Sequence, residues 1–336
     1  MNNRGLRWES TASLNFGLDF TFHRQIIDGS IDVYRSYTND LLMERSLPVM
    51  TGFAKVWSNM GEVRNNGIEI TLNSNNIRQE KLTWRTSFNF SLNKNKIVHL
   101  YDTVDDIVDA NGNVIGQKEK DDPENRWFIG RPVGQIWEYD PIAVWQTSEK
   151  DEAAKYGAIP GDFKLYDPDG NYSYDNSDRQ FIGQTTPKFR WNLRNEFTFF
   201  RDFNLSFMIY SYWGHKKEYN RAKHNNSGKY GYKDRTSSYI LPYWTPENPI
   251  NTHAQLESRE MAAFDVYWDN SFIRLDNISL AYNVPAQWSQ KYAIQNLRLF
   301  FTIRNAAFWA PKWEFWDPES NGPTPRYFTF GLNMTL

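Results

Sequence analysis

An acidic stretch from Asp167 to Asp178, DPDGNYSYDNSD, carries side chains whose types and spacing suggest cation binding. Six oxygen-bearing side chains occupy the first, third, fifth, seventh, ninth and twelfth places, as in a calcium-binding loop: Asp167, Asp169, Asn171, Ser173, Asp175 and Asp178. Each oxygen can replace one water of the ion's hydration shell. Two departures are Tyr172, where such loops carry glycine, and the short Asp178, where they carry glutamate. The stretch predicts either a Ca²⁺ site or a solvated polar turn.

Aromatic residues form a second set of candidate binding residues. The chain has 14 Trp, 19 Tyr and 23 Phe among 336 residues, more than an ordinary soluble core requires. Rings can stack on sugar faces, and each aromatic contact contributes about 0.5 to 1.5 kcal/mol beyond burial. The substrate-contact candidates are Tyr230, Tyr232, Tyr239, Tyr243 and Trp244. The rival interpretation is an aromatic girdle at a membrane interface, which fits Trp309, Trp313 and Trp316 best.

The sequence contains no recognisable catalytic constellation. Its 5 histidines form no pair at metal-binding spacing, and no nucleophile-elbow or phosphate-loop signature occurs. Accidental pairs are expected among 40 Asp and Glu, so paired carboxylates carry no argument for a glycosidase. The net charge of -2 lacks the basic footprint of a nucleic-acid binder, and zero cysteines exclude disulfides and thiolate chemistry. We therefore expect neither an enzyme nor a nucleic-acid partner, and no cofactor other than Ca²⁺.

The elements that carry these residues are predicted to be β-strands. Apolar and polar residues alternate over segments of about ten residues, the length of a tilted strand that crosses a bilayer. Nine segments share the pattern: 13–22, 30–44, 64–73, 82–92, 189–199, 203–213, 271–283, 297–305 and 326–336. No apolar run is long enough for a membrane helix, which excludes a helical membrane protein.

The connections between these segments alternate between short and long. Short periplasmic turns and long extracellular loops give this rhythm in outer-membrane barrels. We accordingly place 45–63, 99–186, 214–270 and 306–325 outside the membrane, and the alternating stretch from Gly134 to Trp145 in a folded external loop. A charge facing lipid costs about 2 to 4 kcal/mol near mid-membrane. Strand parity therefore assigns to the lumen Arg85, Arg190, Arg194 and Glu196.

Several stretches, in order, resemble the SusC/RagA family of TonB-linked outer-membrane proteins. The longest is GEVRNNGIEITLNSNNIRQEKLTWRTSFNFSLNKNKIVHL, from Gly61 to Leu100. The others are GQTTPKFRWNLRNEFTFFRDFNLSFMIYSYWG from Gly183, YWTPENP from Tyr243, SFIRLDNISLAYNVP from Ser271, and PRYFTFGLNMTL at the end. The resemblance covers nearly the whole chain. It implies an all-β fold, the C-terminal part of a large antiparallel transmembrane β-barrel with about nine strands here and long extracellular loops.

The resemblance also implies a function, TonB-dependent import of nutrients across the outer membrane. Oligosaccharides are expected as substrate ahead of oligopeptides. The implied partners are a SusD-like surface lipoprotein, TonB, outer-membrane lipids and the barrel-assembly machinery, whose C-terminal signal the segment Tyr327 to Leu336 resembles. The alternative is a standalone surface β-protein that binds carbohydrate through aromatic loops.

The number of strands indicates that residues 1–336 are the C-terminal portion of a longer barrel. Transporters of this class use roughly 22 strands around a plugged lumen, and about nine strands cannot close that circumference. Each unpaired backbone group at an open edge costs several kcal/mol in hydrocarbon. We therefore expect the N-terminal plug and the earlier strands to lie outside this chain.

Overall fold

Strands account for most of the regular structure in the computed structural model, which describes residues 5–23, 26–46, 50, 52, 55–59, 61–100, 104–224, 241–320 and 322–336. The first ten are β1 (Ser10–Phe22), β2 (Ile27–Asn39), β3 (Leu42–Ser46), β4 (Lys55–Asn59), β5 (Glu62–Gln79), β6 (Leu82–His99), β7 (Val104–Val108), β8 (Val114–Glu119), β9 (Gln135–Glu138) and β10 (Pro141–Val144). The others are β11 (Phe163–Leu165), β12 (Gln180–Gln184), β13 (Phe189–Phe199), β14 (Phe203–Trp213), β15 (Lys216–Glu218), β16 (Tyr267–Asp269), β17 (Phe272–Asn283), β18 (Asn296–Arg304), β19 (Ala307–Trp309) and β20 (Tyr327–Thr335).

Helices within the described ranges are few and short. They are α1 (Lys150–Lys155) and α2 (Ala286–Ser289), together with single 3₁₀ turns at Thr147–Glu149, Asn176–Asp178, Asn220–Lys223 and Gln290–Tyr292. No helix in the described ranges is long and apolar enough to cross a membrane.

Nine strands form the path of one antiparallel principal sheet, in the order β1-β2-β5-β6-β13-β14-β17-β18-β20, and β19 also pairs with β17. These nine strands confirm the nine predicted segments. Some boundaries differ from the prediction, because β5 and β6 run on to Gln79 and His99, and the segment predicted at 30–44 is two strands, β2 and β3. Asp40 interrupts it with a left-handed backbone (φ 56°), and its carbonyl accepts a hydrogen bond from the Asn59 side chain at 2.7 Å. Within the described residues β1 and β20 are not paired with each other, so the sheet is an open part of a barrel wall.

The register of the principal sheet gives it one apolar and one polar face. Phe88 of β6 pairs with Leu193 of β13, which pairs in turn with Ile209 of β14 and so with Leu275 of β17. A polar row three positions along the strands runs through Glu69, Ser91, Arg190 and Tyr212. Because side chains alternate along every strand, the aligned register extends the period-two pattern of single segments into two continuous faces.

Short and long connections fall at opposite ends of the principal sheet, since its path is antiparallel and sequential. The short ones are 23–26, 80–81, 200–202 and 284–295. The long ones are 40–61, 100–188, 214–271 and 305–326. This arrangement agrees with the predicted alternation of turns and loops.

The chain divides into two compact units. The first contains the principal sheet and comprises Met1–Gly134, Thr186–His215 and Asn270–Leu336. The second, which we call the loop unit, comprises Gln135–Thr185 and Lys216–Asp269. Two long connections therefore fold together, with a core of Trp145, Ala153 and Ala158. The alternating stretch predicted to lie in a folded loop supplies β9 and β10 of this unit, paired with β12 and β11.

Candidate functional site

The acidic stretch lies in the loop unit between β11 and β12. It brings together three of the six predicted ligands, because one carboxylate oxygen each from Asp167, Asp169 and Asp178 lie within 4.8 Å of one another. Asp175, the fourth carboxylate of the stretch, is not part of this cluster. Asn171 Oδ1 accepts a hydrogen bond from the Ser173 amide at 2.7 Å, and Asp175 Oδ1 accepts one from the Ser177 amide at 2.7 Å.

Asp167 is fixed by three hydrogen bonds. Its Oδ1 accepts from the Gly170 amide at 2.8 Å, and its Oδ2 accepts from the Tyr156 hydroxyl at 3.0 Å and from the Tyr172 amide at 3.1 Å. Partial burial by itself would raise the pKa of Asp167, but these hydrogen bonds outweigh burial and hold the pKa below its usual range. The carboxylate is therefore kept ionised and oriented at neutral pH.

Tyr172 takes the place where calcium loops carry glycine, and its backbone adopts the glycine-like conformation, with φ 64°. The left-handed region is costly for a residue with a Cβ atom. The Tyr172 ring lies edge-on to the Tyr156 ring at 5.4 Å, and the Lys155 ammonium lies over it at 4.9 Å. These contacts hold the turn, so the glycine replacement does not prevent a calcium-type loop conformation.

Asp178 is the most unusual member of the cluster because its side chain is fully buried, at 0% exposure. Its Oδ2 accepts a hydrogen bond from the Asp175 amide at 2.8 Å, whereas its Oδ1 has no hydrogen-bond partner in the described structure. A buried polar atom left unsatisfied costs about 1 to 3 kcal/mol. Two carboxylates at such a separation repel each other by about 1 to 3.5 kcal/mol, for effective dielectric constants between 80 and 20. A bound cation would offset both costs.

The aromatic candidates fall into two groups. Tyr230, Tyr232 and Tyr239 lie outside the described residues. Tyr243 is 40% exposed in the loop unit, with its ring 6.4 Å from the His224 ring. Trp244 is 5% exposed, and its Nε1 donates a hydrogen bond to Gln146 Oε1 at 2.9 Å. Because Trp244 packs inside the unit, Tyr243 is the better placed of these two rings for contact with a ligand.

The predicted girdle residues differ from one another. Trp309 is 57% exposed, and its ring lies 6.4 Å from that of Trp213, as expected for a girdle. Trp313 is only 6% exposed, so its assignment to the girdle was wrong. The ring of Trp316 stacks on Phe315 at 4.6 Å, and Phe315 is itself buried. Strand parity therefore does not predict which aromatic residues of this connection are buried.

The four charged lumen candidates all lie on the polar face of the principal sheet. Arg85, Arg194 and Glu196 line a cavity of about 560 Å³, and Arg194 pairs with Glu196 at 2.6 Å. Arg190 lines a second cavity of about 600 Å³, with its guanidinium over the Tyr212 ring at 5.0 Å. Both signs of charge are present, so this face is suited to neutral polar ligands rather than to ligands that all carry the same sign of charge.

A buried ion-pair cluster on the same face is absent from the sequence-based predictions. Arg274 of β17 pairs with Asp317 at 2.7 Å and with Glu319 at 2.8 Å, and both Arg274 and Asp317 side chains are nearly inaccessible. The Tyr210 hydroxyl donates a hydrogen bond to Glu319 at 2.6 Å. The cluster fastens the last long connection to the wall. The only feature of the sequence that pointed to this cluster was a charged residue, Arg274, at a position of β17 that faces the polar side of the sheet.

Two histidines of the loop unit, which sequence spacing did not connect, are also neighbours. The rings of His224 and His253 lie 5.9 Å apart, and both side chains are buried. Burial, reinforced by repulsion from His224, lowers the pKa of His253 to about 4. Burial likewise lowers the pKa of His224. Both rings are therefore neutral at pH 7 and act as packing groups.

Comparison with known proteins supports the interpretation of the fold. No family model matches the chain. It is 30% identical to TonB-dependent receptor P3 of Formosa agariphila, over 99% of this chain and 34% of the receptor. It is 28% identical to TonB-dependent receptor SusC of Bacteroides thetaiotaomicron, over 99% of this chain and 32% of that receptor. The chain thus spans about a third of the length of the curated relatives that it matches.

The fold matches a solved structure over nearly its whole length. It aligns with the RagAB peptide transporter at a TM-score of 0.75 and 20% identity, over 99% of this chain and 36% of that chain. The fold is thus that of part of a TonB-dependent transporter barrel. The predicted resemblance is confirmed, because over nearly its whole length the chain is similar to about a third of the length of TonB-dependent receptors such as SusC, and it has the fold of the corresponding part of the RagAB transporter. The relatives are named as receptors rather than as enzymes.

Proposed function

We propose that this chain forms part of the wall and external loops of a TonB-dependent importer in the outer membrane of a Gram-negative cell. The observation that carries the proposal is the principal sheet, with an apolar face, a polar face and all its long connections at one end. On β1, Phe16 and Leu18 are 70% and 60% exposed, and on β20 Phe330 and Leu332 are 72% and 56% exposed. Such apolar surface is unfavourable in water and favourable against lipid.

Within this proposal the substrate is an oligosaccharide rather than an oligopeptide. The polar face supports it with neutral amides and hydroxyls at one level of the wall. Thr71 Oγ1 donates to Asn89 Oδ1 at 3.0 Å, and Asn89 Nδ2 donates to Asn192 Oδ1 at 3.0 Å. Groups of this kind match sugar hydroxyls. The exposed Tyr243 ring offers a surface for stacking on a sugar face.

The partners follow from the same proposal. A SusD-like lipoprotein would cover the mouth formed by the long connections, and TonB would act on the plug of the importer. Outer-membrane lipids would contact the apolar face. The barrel-assembly machinery would recognise the last strand, whose residues Phe328, Phe330, Leu332 and Met334 share one face.

Topology is tested by labelling single cysteines, because the chain contains none of its own. Ile115→Cys places a thiol on β8, in a long connection, where Ile115 is 66% exposed. Lys81→Cys places one in a short turn at the opposite end. In intact cells, a membrane-impermeant maleimide should label the first variant alone. It should label the second after the outer membrane is permeabilised. Labelling of both in intact cells, with release by a salt wash without detergent, would instead favour a standalone surface protein.

The substrate class is tested by uptake in a strain that lacks the gene and is complemented with the full-length protein. Wild-type protein should restore uptake of oligosaccharides. Tyr243→Ala should lower that uptake by roughly 2- to 13-fold, the equivalent of one stacking contact. The matched control is Tyr292→Ala, which removes a 79% exposed ring at the other end of the sheet. Restored uptake of oligopeptides alone would refute the oligosaccharide assignment.

A further inference from the structure

We infer that Asp167, Asp169 and Asp178 form a Ca²⁺ site that closes the acidic loop of the loop unit. The inference concerns the loop unit itself and does not depend on the transport proposal. It rests on two independent observations. One is the convergence of three carboxylates, and the other is the unpartnered, fully buried oxygen of Asp178.

The separation of the carboxylate oxygens suits a shared calcium ion. Ca²⁺ binds oxygen at 2.3 to 2.6 Å, so two ligands of one ion lie at most about 4.6 to 5.2 Å apart. The three oxygens lie within 4.8 Å of one another, inside the upper limit. Calcium accepts six to eight ligands in flexible geometry, so backbone carbonyls and water can complete its shell around three carboxylates.

The Asp178 side chain points to an ion rather than to an accidental cluster. Exposed acidic groups share a loop at little cost because water solvates them, but Asp178 is shielded from water. Its Oδ2 is used by the Asp175 amide, which leaves Oδ1 as a free acceptor among the described residues. In the described ranges no ion pair joins a lysine or arginine to any of the three carboxylates. A divalent cation supplies the missing partner for Oδ1 and offsets most of the negative charge of the three carboxylates.

The site is tied to the core of the loop unit through Tyr156. The Tyr156 hydroxyl donates to Asp167 at 3.0 Å, and its ring packs 5.6 Å from that of buried Trp145 and 5.2 Å from that of Tyr174. An ion held by Asp167 therefore stabilises the placement of a ring in the core. Calcium is expected to protect the whole acidic stretch, and not only its tip, from proteolysis.

The site is tested on the full-length protein, purified in detergent and stripped of metal with a chelator. Calcium chloride is titrated by calorimetry, and protease cleavage within 165–180 is measured with and without the ion. We expect saturable binding with a dissociation constant on the order of 10⁻⁴ to 10⁻³ M, typical of extracellular sites. Cleavage should slow at least tenfold when the site is filled, while Mg²⁺ at the same concentration should give no protection.

The variants separate loss of the ion from loss of the fold. Asp178→Asn keeps an acceptor for the Asp175 amide but should weaken calcium affinity at least tenfold. Asp169→Asn changes an exposed residue, so it should weaken affinity similarly with the fold intact. Asp151→Asn removes the same charge from an exposed position on α1 and should leave affinity unchanged.

The inference is overturned by any of three results. Wild-type protein shows no saturable calcium binding, magnesium protects the loop as well as calcium, or Asp169→Asn and Asp151→Asn bind calcium equally well. These results are independent of the labelling and uptake experiments. Failure of the calcium site would leave the importer proposal standing, and the reverse also holds.

Discussion

The two faces of the principal sheet predict very unequal effects for arginine at two adjacent positions of β14. Ile209 lies on the apolar face between Leu193 and Leu275, and Met208 lies on the polar face opposite Asp276. β14 has 11 residues, which span about 37 Å, or about 26 Å along the membrane normal at a tilt of 45°. That matches an apolar band of about 25 Å, so both positions fall near mid-membrane.

The expected magnitude follows from this depth. Arginine on the lipid face near mid-membrane costs about 2 to 4 kcal/mol, so Ile209→Arg should lower the ratio of folded to unfolded barrel by about 30- to 900-fold. Met208→Arg places its charge in the polar interior, near the carboxylate of Asp276, and should change the free energy of unfolding only slightly. The adjacent positions control for strand location and for the size of the new side chain.

The assay compares the two full-length variants in lipid vesicles and in cells. Chemical unfolding in vesicles gives the change in free energy, and heat-modifiable migration on gels gives the assembled fraction in outer membranes. Equal losses from both substitutions, or a larger loss from Met208→Arg, would refute the assignment of the two faces.

Three further predictions concern buried polar groups. Asp162→Ala removes a fully buried carboxylate that accepts hydrogen bonds from the amides of Ile159 and Arg259. It should destabilise the loop unit by about 3 kcal/mol. The measurement is faster proteolysis within 135–185 and 216–269. An equal acceleration of cleavage in β13 and β14 would contradict a local effect. Arg274→Met leaves the buried carboxylate partners of Arg274 without a compensating charge and should lower stability by about 3 to 5 kcal/mol. The measurement is earlier protease cleavage within 305–326. Unchanged cleavage would mean that the ion pair does not anchor this connection. Burial and neighbouring charge lower the pKa of His253 to about 4. As the pH falls, the unfolded state therefore binds a proton before the folded state does. The free energy of unfolding should fall by about 3 kcal/mol in total between about pH 6.5 and 4. His253→Phe should make the melting temperature less dependent on pH across that range. A pH dependence identical to that of the wild-type protein would assign the acid sensitivity to other groups.

The wall of the barrel was predictable because its determinants are local. Alternation needs only a few neighbouring residues to be visible, and each segment that alternates must place its apolar set on one face. The nine segments therefore became nine strands, and the charges assigned to the lumen lie on the polar face. The exception was Asp40, where a single left-handed residue divided a predicted strand in two.

The candidate sites were predictable only in part. Spacing identified the acidic stretch, but it gave six equivalent ligands where the fold brings three carboxylates together. Burial could not be inferred for Trp244 and Trp313, and Trp244 donates its hydrogen bond to Gln146, which is distant in the sequence. A loop's path depends on contacts that its own sequence does not contain.

By itself, the sequence determined the strands, their faces, the order of short and long connections, and the family resemblance. Tertiary structure alone decided that two long connections fold into one unit, that Arg274 meets Asp317, and that Asp178 is buried with a free oxygen. The physical reason is the range of the interactions. Strand periodicity is set by neighbours two residues apart, whereas burial and ion pairing depend on where the chain returns after tens of residues.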